Sequence, residues 1–205
     1  MSVEPIYNRL LAEKTIENMA ARNLQGFYCQ TRGEALQKAL ELAPEGESVS
    51  FGGSEAVREL GLRAALRGRR LLDPDEGVGG AEKEKIARQA MAADCYFMGA
   101  NAIALSGELV NIDGYGNRVS ALIFGPSRVV VIAGVNKIEQ SLESAVFRAK
   151  TVAAQKTLLL FKKDYASFDE LRLAADGARG QTVITERAAL PGRIFVILVG
   201  EALGF

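Results

Sequence analysis

The hydrophobic pattern of the chain changes period several times. From Ile6 to Asn23, Leu, Ala, Glu and Lys dominate, and the apolar positions scatter round a helical wheel. A helix of that kind is buried on several sides or meets a partner. Gly26–Cys29 reads as a short strand. Thr31-Arg32-Gly33-Glu34 is a capping box; Leu36, Ala39, Leu40 and Ala43 then supply one apolar face, and Pro44 marks the stop. Ser48–Phe51 is a strand that runs into Gly52-Gly53-Ser54, followed by a helix with Val57, Leu60 and Ala64 on one face. Arg69–Leu72 predicts a short strand, Asp73–Gly80 a loop, about Ala81–Ala93 a charged helix, and Cys95–Gly99 a strand favoured by its aromatics. Gly107–Ile112 and Arg118–Phe124 predict the two strands of a hairpin. It turns at Asp113–Asn117, where glycine and asparagine accept positive φ.

Val129-Val130-Val131-Ile132, within Arg128–Ala133, is an apolar run of the buried parallel-strand type. Ile138–Ala154 predicts a helix: Ile138, Leu142, Ala145, Val146, Ala149, Val152 and Ala153 fall in one sector, and Phe147 projects from the opposite face. An exposed Phe147 is either ordinary apolar surface or a contact with a second subunit. Thr157–Phe161 reads as β-like. Residues 162–181 read as loop-rich, with one helix at Ser167–Ala175. Ile194–Val199 is the strongest strand signal and ends at Gly200.

Strands alternating with helices predict an α/β fold: a mainly parallel sheet flanked by helices, with the 107–124 β-hairpin as an insertion. Ligands in such sheets bind beyond the carboxyl ends of the strands. Here those ends are Gly52-Gly53-Ser54, Gly99–Gly107, Gly134-Val135-Asn136-Lys137 and Gly200-Glu201.

Composition narrows the chemistry. The 205 residues carry 25 Lys plus Arg and 25 Asp plus Glu, a net charge of zero that argues against a dedicated nucleic-acid binder. There is no histidine, which removes Ser-His-Asp and Cys-His pairs and His-ligated metals. Cys29 and Cys95 form no CxxC pair, and both sit in apolar settings, so two small buried side chains are expected. No leader peptide and no apolar run long enough to span a membrane is legible, so the expected setting is the cytoplasm.

Several motifs allow two readings each. Gly52-Gly53-Ser54 either cradles an anion at a helix N-terminus or is an ordinary turn capped by Ser54. Asn111, Asp113, Asn117 and Arg118 either line a site or decorate an exposed hairpin. An EF-hand is excluded, because Leu122 stands where its closing Glu would be. Glu108, in a chain without histidine, is the candidate nucleophile or base if desolvated in a cleft; otherwise it pairs with Arg118 at the surface. Asn136-Lys137 either meets an anionic substrate or carries a solvated lysine beside a helix start.

The chain resembles the LUD domain family, named for lactate utilisation, in its short single-domain form. The likeness is carried by Ser50-Phe51-Gly52-Gly53-Ser54, Ala100-Asn101-Ala102-Ile103, Gly107 to Gly114 with Gly116-Asn117-Arg118-Val119, Ile123-Phe124-Gly125-Pro126, Gly134 to Ile138, and Val199 to Phe205. The resemblance implies one LUD domain over 1–205, with a helix at about 5–23 packed on it or extending from it. It also implies a fold similar to CoA transferases, ribose-phosphate isomerase and glucosamine-phosphate deaminase. Many short members carry a cysteine-rich stretch before the last strand; residues 155–193 here contain no cysteine, so no iron–sulphur cluster, metal or other cofactor is expected. The expected function is binding of a small anionic metabolite in lactate or organic-acid metabolism, with isomerase- or CoA-transferase-like chemistry. The alternative is a non-catalytic subunit docking on an iron–sulphur redox protein. The expected assembly is a homodimer, without nucleic acid or membrane. The expected site comprises Glu108 as catalytic group and Gly52, Gly53, Ser54, Asn101, Asn111, Asp113, Asn117, Arg118, Asn136 and Lys137 as ligand-binding residues.

Overall fold

The computed structural model describes residues 2–77, 79–162, 164–178 and 180–205. The first helix, α1 (Glu4–Ala20), leads into strand β1 (Leu24–Cys29) and helix α2 (Arg32–Glu41). Thr31 caps α2 as its motif predicts: its hydroxyl accepts from the Glu34 N–H at 3.2 Å. The Glu34 carboxylate reaches back to the Gln30 N–H, one residue before the cap. Strand β2 (Ser48–Phe51), helices α3 (Glu55–Glu59) and α4 (Leu62–Ala65), strand β3 (Arg70–Leu72), helix α5 (Gly80–Gln89) and strand β4 (Cys95–Gly99) follow. Short strands β5 (Ala102–Ala104) and β6 (Leu109–Asp113) precede helix α6 (Asn117–Phe124) and strand β7 (Arg128–Gly134). The chain closes with β8 (Ile138–Glu139), α7 (Leu142–Arg148), α8 (Ala154–Phe161), α9 (Phe168–Ala178), β9 (Gln181–Thr185) and β10 (Ile194–Val199).

The main sheet has six strands in the order β1-β10-β7-β4-β2-β3, and every adjacent pair is parallel. Its centre is the apolar run anticipated at 129–132. Val129, Val131 and Ala133 point into one core with α1 and α6, while Val130 and Ile132 point into the other with α2, α3 and α4. Period-two alternation inside an all-apolar strand thus feeds two cores at once. Each fully buried Val or Ile among them contributes about 1.5–3 kcal/mol. Cys29 and Cys95 are free and buried in the second core, as expected, and burial pushes the Cys95 thiol up to about 12.

A second sheet, β8-β5-β6-β9, packs under α7 and was not legible as a sheet. Three elements correct the sequence reading. First, 118–124 is helix α6, and the antiparallel partners of β6 are β5 on one side and β9 on the other. The cause is Asp113, whose carboxylate accepts the N–H groups of Tyr115, Gly116, Arg118 and Val119 at 2.9–3.1 Å. Four backbone donors satisfied by one side chain start a helix where the glycines suggested a strand reversal. Second, Thr157–Phe161 is helical. No Gly or Pro interrupts 142–161, so α7 continues through a wide turn at Ala149–Ala153 into α8. Third, Ile138–Glu139 is a strand, and the helix begins only after Ser141, whose hydroxyl accepts from the Ser144 N–H at 3.2 Å. The helix foreseen in the loop-rich 162–181 stretch is α9. Among the described residues no helix is long and apolar enough to cross a membrane.

Candidate functional site at the carboxyl edge of the sheet

The parallel strands β2, β4 and β7 are neighbours, so the turns leaving them meet at one edge. A cleft of about 410 Å³ opens there, lined by Gly52, Gly53, Ser54, Asn101, Arg118 and Lys137 together with α3 and the end of α8. A second cavity of about 350 Å³ shares Gly53, Asn101 and Arg118 and adds Asp113 and Asn117. Ser54 is the N-cap of α3: its hydroxyl accepts from the Val57 N–H at 3.3 Å. Gly52 is a place where only hydrogen fits well. A Cβ there would stand 3.0 Å from both Arg118 Cγ and the Tyr96 hydroxyl. Gly52→Ala is therefore expected to displace Arg118 and weaken ligand binding about tenfold, with a stability cost of roughly 1–3 kcal/mol, read by calorimetry and thermal melting.

Three buried cations hang from three successive carbonyls of the β4–β5 turn. Arg118 donates to the Gly99 carbonyl at 3.2 Å, Lys137 to that of Ala100 at 3.1 Å, and Arg148 to that of Asn101 at 2.5 Å. Arg118 spends three more donors on the Asn111 and Asn101 side-chain oxygens and on the Ile112 carbonyl. Every one of these acceptors is neutral. Arg148 has Glu139 at 3.6 Å, but no carboxylate among the described residues forms an ion pair with Arg118 or Lys137. At the rim, in contrast, Arg58 holds Glu55 and Arg63 holds Asp75. The rim charges are matched and the inner two are not.

Burial depresses the Arg118 and Arg148 guanidinium groups from their ordinary values. It pushes the Lys137 ammonium down to about 7, with help from Arg148 and Arg118, against the opposing pull of Glu59 and Glu55. Asp113 opposes the depression at Arg118 and Glu139 opposes it at Arg148, but no carboxylate ion-pairs with Arg118 or Lys137 among the described residues; desolvated cations are costly, and an anion entering the cleft would relieve that cost.

Six expected ligand-binding residues, Gly52, Gly53, Ser54, Asn101, Arg118 and Lys137, line the cleft, and Asp113 and Asn117 line the adjoining cavity. Asn111 lies beneath them, fully buried, orienting Arg118. Asn136 departs from the expectation. It shares the sheet edge with Gly53, but its amide accepts from Leu203 N–H at 3.0 Å and donates to the Gly204 carbonyl at 3.2 Å, so it ties down the last residues and does not line the cleft.

Glu108 is neither in the cleft nor paired with Arg118. It is buried beside the β5–β6 turn, where Arg22 pairs with it and Ser106 donates to it. Arg22 also reaches the Ser106 and Glu186 carbonyls, so this pair fastens the end of α1 to the second sheet. Glu108→Gln is expected to lower stability by about 1.5–3 kcal/mol while leaving ligand affinity in the cleft unchanged. An affinity loss at equal stability would return Glu108 to the site.

Arg148, Glu55 and Arg63 were not anticipated. Arg148 had a signal: it sits one residue from Ala149 and three from Ala145, at the border of the apolar sector of its helix. The larger depression of about 850 Å³ lies at the opposite, amino-terminal edge, around Phe124, Leu190 and Arg193. Arg193 there is occupied by the Ala121 and Leu122 carbonyls. No three His, Cys, Asp or Glu side chains converge as a metal site among the described residues.

A six-stranded parallel sheet between two helical layers, with its cleft at the carboxyl edge, places the protein in the α/β class. The profile of the LUD domain family matches residues 12–199, and the chain belongs to that family. Among solved structures, a DUF162 family protein from Deinococcus radiodurans shares the fold. Its TM-score is 0.52 at 13% identity, over 94% of this chain and 97% of the other. The eIF2B delta structure from Chaetomium thermophilum aligns at a TM-score of 0.34 and 18% identity, over 67% of this chain and 54% of that one, too loose a likeness to bear on the fold. A search of curated proteins gives no match.

Proposed function

We propose that the protein is a single LUD domain that binds a small carboxylate metabolite in the cleft at the carboxyl edge of its sheet, within cytoplasmic lactate or organic-acid metabolism. One observation carries the reading: Arg118 and Lys137 are buried, face the same small cleft, and have only neutral partners. A carboxylate accepts from the Nε–H of Arg118, whose other donors are taken, and from backbone N–H groups such as those of a glycine turn, and it supplies negative charge beside both cations. The cleft is large enough for an acid of a few carbon atoms and small for a dinucleotide. Isomerase- or CoA-transferase-like chemistry would act on a ligand so held. Titration with lactate, pyruvate and glycolate, against neutral lactamide and glycerol, tests the reading. Only the acids should bind, and at a hundredfold excess over Kd they should stabilise the protein by about 2.7 kcal/mol. Equal response to the neutral compounds would refute it.

The reading of a docking subunit for an iron–sulphur redox protein has its own support, in Phe124, Ile123 and Leu190, which stand exposed round the amino-terminal groove. The exposed Ile6, Tyr7 and Leu10 of α1, and Phe147, which is 69% exposed, support a homodimer.

A further inference from the structure

We propose that Lys137 is a nucleophile: its amine, hung from the Ala100 carbonyl beside the Arg118 guanidinium, forms an imine with a small aldehyde or ketone that carries a carboxylate. This rests on the carboxylate reading of the cleft and adds a second requirement, a carbonyl group next to the acid.

A lysine nucleophile must reach the cavity, be free of a clamping carboxylate, and carry its nitrogen neutral. Lys137 lines the cleft although only 3% of the residue is exposed. Its amine donates to the Ala100 carbonyl, which leaves two further N–H groups in the ammonium form and, when neutral, one N–H and a lone pair. The charged groups around it come from three helices. Arg118 of α6 and Arg148 of α7 disfavour the ammonium, while Glu55 and Glu59 of α3 favour it. Those two carboxylates are engaged elsewhere, Glu55 with Arg58 at 2.8 Å and Glu59 with Arg32 at 3.6 Å. With burial added, the amine titrates at about 7, so near neutral pH roughly half of the molecules hold it deprotonated.

Arg118 and Lys137 are bound to the carbonyls of consecutive residues, Gly99 and Ala100. A guanidinium with its Nε–H still free and an amine, held by carbonyls one residue apart, match a carboxylate and a carbonyl within one small molecule, as in a 2-oxo acid. The amine lone pair adds to the carbonyl carbon, and the carbonyl π pair goes to oxygen. Both N–H protons end on that oxygen, the C–O bond breaks, and one water leaves as the C=N bond forms.

The test treats wild-type protein at pH 7 with pyruvate or glyoxylate in the presence of cyanoborohydride, which reduces an imine to a stable secondary amine. Peptide mass spectrometry then reads each lysine. The reduced adduct is expected at Lys137 at least about tenfold ahead of exposed Lys14, because an ordinary lysine is almost wholly protonated there. Its rate should rise with a midpoint near 7. Lactate, which lacks the carbonyl, should give no adduct but should slow the labelling. Acetaldehyde, which lacks the carboxylate, should label Lys137 at least about tenfold more slowly than pyruvate, for want of the charged anchor. Labelling of Lys137 no faster than Lys14 with both oxo acids overturns the inference. If lactate still binds in that case, the carboxylate reading survives alone. Equal labelling by acetaldehyde and pyruvate, without protection by lactate, overturns the carboxylate anchor and with it the substrate class.

Discussion

Replacing Lys137 by methionine is expected to stabilise the folded protein by about 2–4 kcal/mol below pH 7. The gain should shrink as the pH rises toward 10.5. In the folded chain the amine titrates at about 7, against an ordinary value of 10.5. Below pH 7 the group is protonated in both states, and the folded state carries the whole cost of a desolvated ammonium. Between the two values the unfolded chain binds a proton that the folded one does not, so stability rises with pH and the burden is relieved at roughly 1.4 kcal/mol per pH step. Above 10.5 both states are neutral and the burden is gone. The full interval sets a ceiling of about 5 kcal/mol. The Ala100 carbonyl left without its donor takes back about 1 kcal/mol. Denaturant unfolding of Lys137→Met and wild type at pH 6 and pH 10 measures this. A variant less stable than wild type at pH 6 would contradict the assignment of Lys137 as an unrelieved cation.

Arg118→Gln is expected to act in the opposite sense. The guanidinium holds four neutral oxygens, those of Gly99, Asn111, Asn101 and Ile112. Gln supplies two donors at most, so two or more buried acceptors lose their partner, at about 1–3 kcal/mol each. Loss of the buried charge offsets part of that. The expected net loss is roughly 2–4 kcal/mol in stability. Lactate or pyruvate affinity should fall about 30- to 1000-fold, the effect of losing a charge-assisted contact of about 2–4 kcal/mol. Calorimetry at a temperature where the variant is folded reads the affinity. Unchanged affinity would remove Arg118 from the binding reading.

Features that depend on a short stretch of chain are legible in the sequence. Val129 to Ile132 is apolar throughout because it faces two cores, and that is visible in the letters alone. Gly52-Gly53-Ser54 and Lys137 were placed at strand ends, and the parallel topology then brought those ends together. What a short window cannot see is which neighbour a side chain chooses. Asn136 and Lys137 are adjacent, yet one turns to the Leu203 and Gly204 backbone and the other to Ala100, because a single tight turn separates their directions.

Glu108 and Arg118 looked like cross-strand partners only as long as 118–124 was a strand. Once the Asp113 carboxylate starts a helix there, Arg118 folds back toward Gly99, and Glu108 finds Arg22, which lies 86 residues earlier in the chain. The second sheet was illegible for a different reason. β5 and β8 are two or three residues long, and β9 has no buried position, so none of the three carries the apolar alternation that marks a strand.

If Arg118 and Lys137 make the carboxyl-edge cleft a carboxylate site, as proposed, lactate should be held between them and the Gly52-Gly53 turn. The most direct test of this placement is a nuclear magnetic resonance titration of isotope-labelled wild-type protein with lactate. The backbone amide of Gly53, the side-chain Nε–H of Arg118 and the amide of Lys137 should shift together along one saturating curve, while amides round Phe124 and Leu190 stay still. Shifts confined to the Phe124–Leu190 groove, or no saturable shift at Gly53 and Arg118, would contradict it.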